Sequence, residues 1–339
     1  MRTPAALPAA LLASTLLAAA CGGQGGTGTV ANPDAARPAG VEHATLVLDF
    51  LPNAVHAGIY RALARGYYRQ RNVDLRVIQP TSTADTLRLI DAGKADFGIA
   101  DAADVADQIG RGRDAQAVMA LVQRPLGGVI ALRSEGLGSP RDLEGKTVGL
   151  TGVPSDTAVL DTAVRSAGGD PGRVHTLTIG FNGVQDLENG KVAAFTGYWP
   201  ADGVQLQVGG FPITPFKLDE HGGPAYPGLV VFSTRRRIAQ DPPLLRAFVA
   251  GTYVGYRQTL SDPQGSLQDL LDRNRSLRRP FTTSSLEAYL PLFQADAPAY
   301  GTLRQDRLQQ LSDWLVGYRL IKKPIAPSRF GTNQFLPAR

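Results

Sequence analysis

Residues 48–68 read LDFLPNAVHAGIYRALARGYY, and their order decides the fold. The apolar run at 45–50 has strand character and is broken by Pro52-Asn53. His56, Ile59, Tyr60 and Leu63 then recur at the spacing of one helix face. Polar and aromatic side chains thus stand at the carboxyl end of a strand and in the first turns of a helix. Open α/β sheets place their ligands at that point.

The alternation continues outward from this stretch. Apolar runs predict strands at 73–78, 96–100, 116–122 and 129–132, and a helix at 84–92 that Gly93 stops. Ser139-Pro140 reads as a cap with proline at the first helical position, opening a turn at 141–143. A second block predicts strands at 147–150, 174–179 and 193–196, helices at 155–167 and 184–189, and a further strand at 229–233. Beyond Thr234 the chain turns helical, at 242–260, 285–293 and 304–320. Two α/β blocks and a helical return predict an α/β fold of two lobes, joined by a two-strand hinge with the ligand cleft between them. The predicted lobes are 44–133 with 230–339, and 134–229, with crossings near 132–138 and 226–234.

The first residues read as a processing signal. Arg2 precedes an Ala- and Leu-rich run, and Leu17-Ala18-Ala19-Ala20-Cys21 matches a bacterial lipobox. Residues 1–20 are then a signal peptide, and Cys21, the chain's one cysteine, carries the lipid that anchors it to the cell membrane from outside. Residues 21–43 are rich in Gly, Thr, Ala and Pro without apolar period, as a flexible tether is.

Charge is modest, with Lys+Arg 35 against Asp+Glu 30. The runs Arg235-Arg236-Arg237 and Arg278-Arg279 lack the interleaved aromatics of a single-strand nucleic-acid platform, so no nucleic-acid partner is expected. The histidines at 43, 56, 175 and 221 have no metal-ligand spacing, and no metal is expected. There is no P-loop and no G-x-S-x-G elbow, so neither a cofactor nor catalysis is expected.

Four segments are candidates for the cleft. Asp49, Phe50, Asn53, His56 and Tyr60 offer donors and acceptors for the edge of a heterocycle, or else Asp49 and Asn53 cap helices and His56 packs inside. Asp101 follows a buried strand, where it faces a cleft or caps the next helix. Pro154 makes a turn and Ser155 is placed to cap the helix that follows, whose free amides favour negative groups, but Asp156 already supplies one there, which favours a neutral or cationic ligand. Tyr198-Trp199 offers a face for stacking a flat ring, with Asp202 to accept a ring amine's protons, unless Trp199 is a core residue beside a turn.

These segments resemble the solute-binding proteins of ABC importers in the thiamine-pyrimidine group, related to the eukaryotic thiamine pyrimidine synthase. Asp49-Phe50-x-Pro52-Asn53-x-x-His56-x-Gly58-x-Tyr60, Gly152-Val153-Pro154-Ser155-Asp156, Gly180-Phe181-Asn182, Gly197-Tyr198-Trp199 and Glu220 to Tyr226 follow the family's order. The resemblance implies a type II periplasmic-binding fold and a monomer that captures a hydroxymethyl-, aminomethyl- or formylaminomethyl-pyrimidine and docks on a permease and its ATPase. A related branch binds riboflavin, which is the alternative ligand. The resemblance puts Asp49, Asn53, His56 and Tyr60 on one wall, Pro154, Ser155, Tyr198 and Trp199 on the other, and Tyr226 near the hinge. Phe50, Asp101, Pro200 and Asp202 depart from the family's usual tryptophan, tyrosine, asparagine and glutamate. The synthase relative implies a cysteine-rich iron-binding stretch and a lysine for pyridoxal phosphate; this chain has no cysteine after Cys21 and no lysine from 46 to 93.

Overall fold

A computed structural model of the protein describes residues 40–338. The signal peptide expected at 1–20, the lipid site expected at Cys21 and most of the expected tether lie outside the described residues. The tether's predicted end is corrected: β1 (Glu42–Val47) starts inside it, because Glu42 and His43 already run beside Val73 and Asp74 of β2 (Val73–Ile78). Among the described residues no helix is long and apolar enough to cross a membrane.

The chain continues through α1 (Ala57–Ala64), α2 (Thr83–Asp91), β3 (Phe97–Asp101), α3 (Ala102–Gly110), β4 (Gln116–Ala120) and β5 (Gly127–Leu132). Then come β6 (Thr147–Leu150), α4 (Ser155–Ser166), β7 (His175–Thr178), α5 (Gly183–Glu188), β8 (Ala194–Tyr198), α6 (Val204–Val208) and β9 (Ile213–Lys217). The return is β10 (Leu229–Ser233), α7 (Arg235–Gln240), α8 (Pro242–Ser261), α9 (Pro263–Arg273), α10 (Arg279–Gln294), α11 (Gln305–Gly317) and α12 (Pro327–Phe330).

These strands make two five-stranded sheets, ordered β2-β1-β3-β10-β4 and β7-β6-β8-β5-β9. In the first, β1 runs parallel to β2 and β3, while β10 is antiparallel to β3 and β4. The central β3 and β10 are buried along their whole length, which is why both read as unbroken apolar runs. In the second, β6 is parallel to β7 and β8, and β5 is antiparallel to β8 and β9.

One predicted boundary moves. Strand β5 was expected at the end of the first lobe, but it lies inside the second sheet, between β8 and β9. The first crossing is therefore at 121–126, and the second is at 218–228. The two crossings are tied by an ion pair between Arg124 and Asp219.

The backbone behind the first sheet's binding edge is held tightly. Gly58 of α1 and Gly255 of α8 let the two helices touch: a Cβ on Gly255 would lie 2.1 Å from the Gly58 carbonyl oxygen. Beside them the Tyr256 hydroxyl donates to the Val55 carbonyl at 2.7 Å, in a buried contact. Helix α8 thus fixes the turn that follows β1.

Candidate functional site

Between the two sheets lies a cleft that encloses about 850 Å³ of space, open solvent included. The first sheet's side contributes Asp49, Phe50, Asn53, Asp101, Asp104 and Tyr226. The second contributes Thr151, Ser155, Asp156, Val159, Phe181, Phe195, Thr196, Tyr198 and Asp202, among others. No lysine or arginine is among the lining residues.

Asp49 sits just past β1, and its Oδ1 lies 2.8 Å from His56 Nε2. The Asn53 amide donates to His56 Nδ1 at 3.2 Å, so the ring proton is on Nε2 and points at Asp49. His56 is fully buried and does not line the cleft; it is corrected from a wall residue to one that aims Asp49. Asn53 does both things proposed for it. It lines the cleft, and it caps the turn by accepting from the Val55 amide at 2.9 Å. Tyr60 is also corrected: it faces the core, one turn beyond His56 on the side where α1 packs against α9, and its hydroxyl meets Asn274.

Across the cleft mouth Phe50 meets Phe181 edge to face, with ring centroids 4.3 Å apart. Each follows a strand of a different sheet, so this contact joins the two sides. Phe181 stands in the Gly180-Phe181-Asn182 motif, yet the sequence alone did not mark it as a wall residue.

Asp101 caps α3, accepting from the Ala103 amide at 2.8 Å, and it also faces the cleft, so neither reading excludes the other. It accepts from the hydroxyls of Tyr198 and Tyr226. Burial, reinforced by the facing Asp49, pushes its carboxyl up to about 7. Asp104, one helical turn on, accepts from the Ser155 amide at 3.3 Å. Burial and then the neighbouring charge of Asp101 raise it well above the usual carboxylate range. Asp104 was missed, although its spacing from Asp101 places both on one helix face.

At the start of α4 the expected capping role of Ser155 is corrected. Ser155 is the helix's first residue, and the Asp156 carboxylate reaches back to the amides of the loop that leads into the helix. It accepts from the Gly152 amide at 2.8 Å and the Val153 amide at 3.1 Å. The Thr151 and Thr196 hydroxyls add bonds of 2.9 and 2.8 Å. An anion arriving at this loop would find its amides already taken by the chain itself. Pro154 precedes the helix and is not among the lining residues, contrary to expectation.

Tyr198 ends β8 and faces the cleft, but Trp199 does not line it. Trp199 opens the turn after β8 and its ring leaves the cleft, so the pair does not act as one stacking face. Trp199 instead lies under Lys217, whose Nζ is 4.5 Å from the ring centroid. A π turn, Trp199–Gly203, then brings Asp202 back to accept from the Tyr198 amide at 2.8 Å. Burial pushes Asp202 up to about 6. Tyr226, on the second crossing, is buried against Trp314 with centroids 6.3 Å apart.

The chain is similar to known proteins in sequence and in fold. Residues 53–266 match the family model described as NMT1/THI5 like. Formylaminopyrimidine-binding protein of Halalkalibacterium halodurans is 27% identical, over 84% of this chain and 88% of its own. The 4-amino-5-hydroxymethyl-2-methylpyrimidine phosphate synthase of Legionella pneumophila is 24% identical, over 86% of this chain and 92% of its own. The alkanesulfonate-binding protein SsuA from Xanthomonas axonopodis pv. citri, bound to MOPS, superposes with a TM-score of 0.70 at 16% identity, covering 88% of this chain and 99% of that one. The two sheets are those of the type II periplasmic-binding fold.

Proposed function

This chain belongs to the NMT1/THI5-like family, and from that premise we propose that it is the solute-binding component of an ABC importer. Its solute is a thiamine pyrimidine precursor, its anchor is the lipid on Cys21, and its partners are a permease and an ATPase. The observation that carries the ligand reading is the cleft's acidic lining. Asp49, Asp101, Asp104, Asp156 and Asp202 line it without a facing lysine or arginine. Asp156 also occupies two amides of the loop that leads into α4. A sulfonate or phosphate would meet carboxylates there, whereas an aminopyrimidine brings N–H donors and a flat face for Phe50 and Tyr198.

The Legionella relative is named as a synthase, so an enzyme is the second reading to weigh. The cleft residues do not fit that chemistry: no lysine lines the walls to hold pyridoxal phosphate. The absence of cysteine beyond Cys21 also leaves no counterpart of the synthase's iron-binding stretch.

Calorimetry of the purified protein against the hydroxymethyl-, aminomethyl- and formylaminomethyl-pyrimidines, thiamine and riboflavin tests the proposal. Micromolar or tighter binding of one pyrimidine is the expected result. Binding of riboflavin alone would move the chain to the flavin-binding alternative, and heat from none of the five would remove the ligand reading. For the anchor, Cys21→Ser should release the protein from membranes; retention of that variant would refute lipid attachment.

A further inference from the structure

We infer that the cleft selects a cationic solute: a pyrimidine whose arm ends in a primary ammonium, held between Asp101 and Asp104. The inference rests on the precursor reading and narrows it to one chemical class, the aminomethyl form over the hydroxymethyl and formylated ones.

The cleft marks the site, and its partners mark the charge. Asp101 and Asp104 lie one helical turn apart at the start of α3, both buried and both on the cleft wall. Every partner that the structure gives them is a neutral donor: the Ala103 and Ser155 amides, and the Tyr198, Tyr226 and Ser155 hydroxyls. The charged groups that face them are carboxylates, Asp49 from the end of β1 and Asp156 from α4. His56 is spent on Asp49 from behind.

A buried carboxylate pair of this kind is satisfied either by a retained proton or by a cation. Burial and mutual repulsion make the unliganded cleft retain the proton, which holds Asp101 protonated up to about 7. A primary ammonium on a ring-bound methylene, less basic than that of lysine because the ring withdraws electrons, arrives charged near neutral pH and replaces that proton by charge-assisted hydrogen bonds. A hydroxymethyl arm has the same ring and no charge, so the difference between the two ligands reads the arm alone.

The test is calorimetry of the intact protein with the aminomethyl- and hydroxymethyl-pyrimidines and with benzylamine, from pH 5.5 to 8, in buffers of different ionisation enthalpy. The amine should bind about tenfold or more tighter at pH 8, the order of one charge-assisted hydrogen bond. That advantage should shrink at pH 5.5, where Asp101 keeps its proton. Near pH 6.5 amine binding should release protons to the buffer, and hydroxymethyl binding should release none. Asp104→Asn should weaken amine binding more than hydroxymethyl binding. If that variant does not fold, the proton count on the unaltered protein still decides. Equal or tighter binding of the hydroxymethyl form, or no proton release with the amine, overturns charge selection and leaves the precursor reading intact. Binding of benzylamine without either pyrimidine supports charge selection and removes the precursor reading.

Discussion

Replacing Asp156 by alanine should cost stability and create an anion site in the same step. The substitution strips an acceptor from two backbone amides, Gly152 and Val153, and from the Thr151 and Thr196 hydroxyls. The hydroxyls can turn elsewhere; Thr196 Oγ1 already lies 3.4 Å from the Gly149 carbonyl. The amides cannot turn, and each unsatisfied donor costs about 1–3 kcal/mol. Removing a carboxylate that burial disfavours returns part of that sum. The net loss should be about 2–4 kcal/mol by urea denaturation. Sulfate should then bind the vacated amides, and at ten times its dissociation constant it should restore about 1.4 kcal/mol. The assay belongs near pH 5.5, where Asp101 is protonated and repels the anion less. Sulfate stabilises proteins generally, so the gain must exceed that of the unaltered protein. A loss under about 0.5 kcal/mol, or an equal sulfate effect on both proteins, would refute the view that Asp156 serves as the cleft's own anion.

Three further outcomes follow from the geometry. The unliganded protein should melt at a higher temperature at pH 5 than at pH 8: unfolded aspartates titrate near 3.8, whereas native Asp202 and Asp101 hold protons up to about 6 and 7, so the native state binds more protons in this window and loses stability as pH rises. A melting temperature that is flat or rising from pH 5 to 8 would contradict this. Tyr198→Ala should weaken pyrimidine binding about tenfold or more, from lost ring contact and a lost partner of Asp101, while Trp199→Ala should change it less than about threefold by calorimetry. The reverse order would place the stacking face on the other side of β8. Gly255→Ala should destabilise by about 1–3 kcal/mol in urea titration, because its methyl would collide with the Gly58 carbonyl; a neutral effect would mean that α1 and α8 separate easily.

The strands were legible where both faces are buried, as in β3 and β10, because burial forces an unbroken apolar run. Strand β9 was missed because Pro215 interrupts its pattern; the proline is tolerated because β9 is an edge strand, paired only with β5. Helix α9 was missed although Asp262-Pro263 carries its start, with Asp262 accepting from the Gly265 amide. For the site, Asp49, Phe50, Asn53, Asp101, Ser155, Tyr198, Asp202 and Tyr226 lie on the cleft wall, and each follows or ends a strand or crossing, or opens a helix. The direction of a helix is a tertiary matter, so His56 and Tyr60 turned inward with α1. The π turn that opens at Trp199 separates it from Tyr198.

The strand order also dictates when each half of the cleft can exist during synthesis. The second sheet draws only on residues 127–217, one continuous stretch. The first sheet cannot join β3 to β4 until β10, made more than a hundred residues later, slides between them. The wall that carries Asp49 and Asp101 is therefore begun first and finished last. Until Ser233 has emerged, β3 and β4 have unpaired edges, and a chain halted before that point would own one complete sheet and half a binding site.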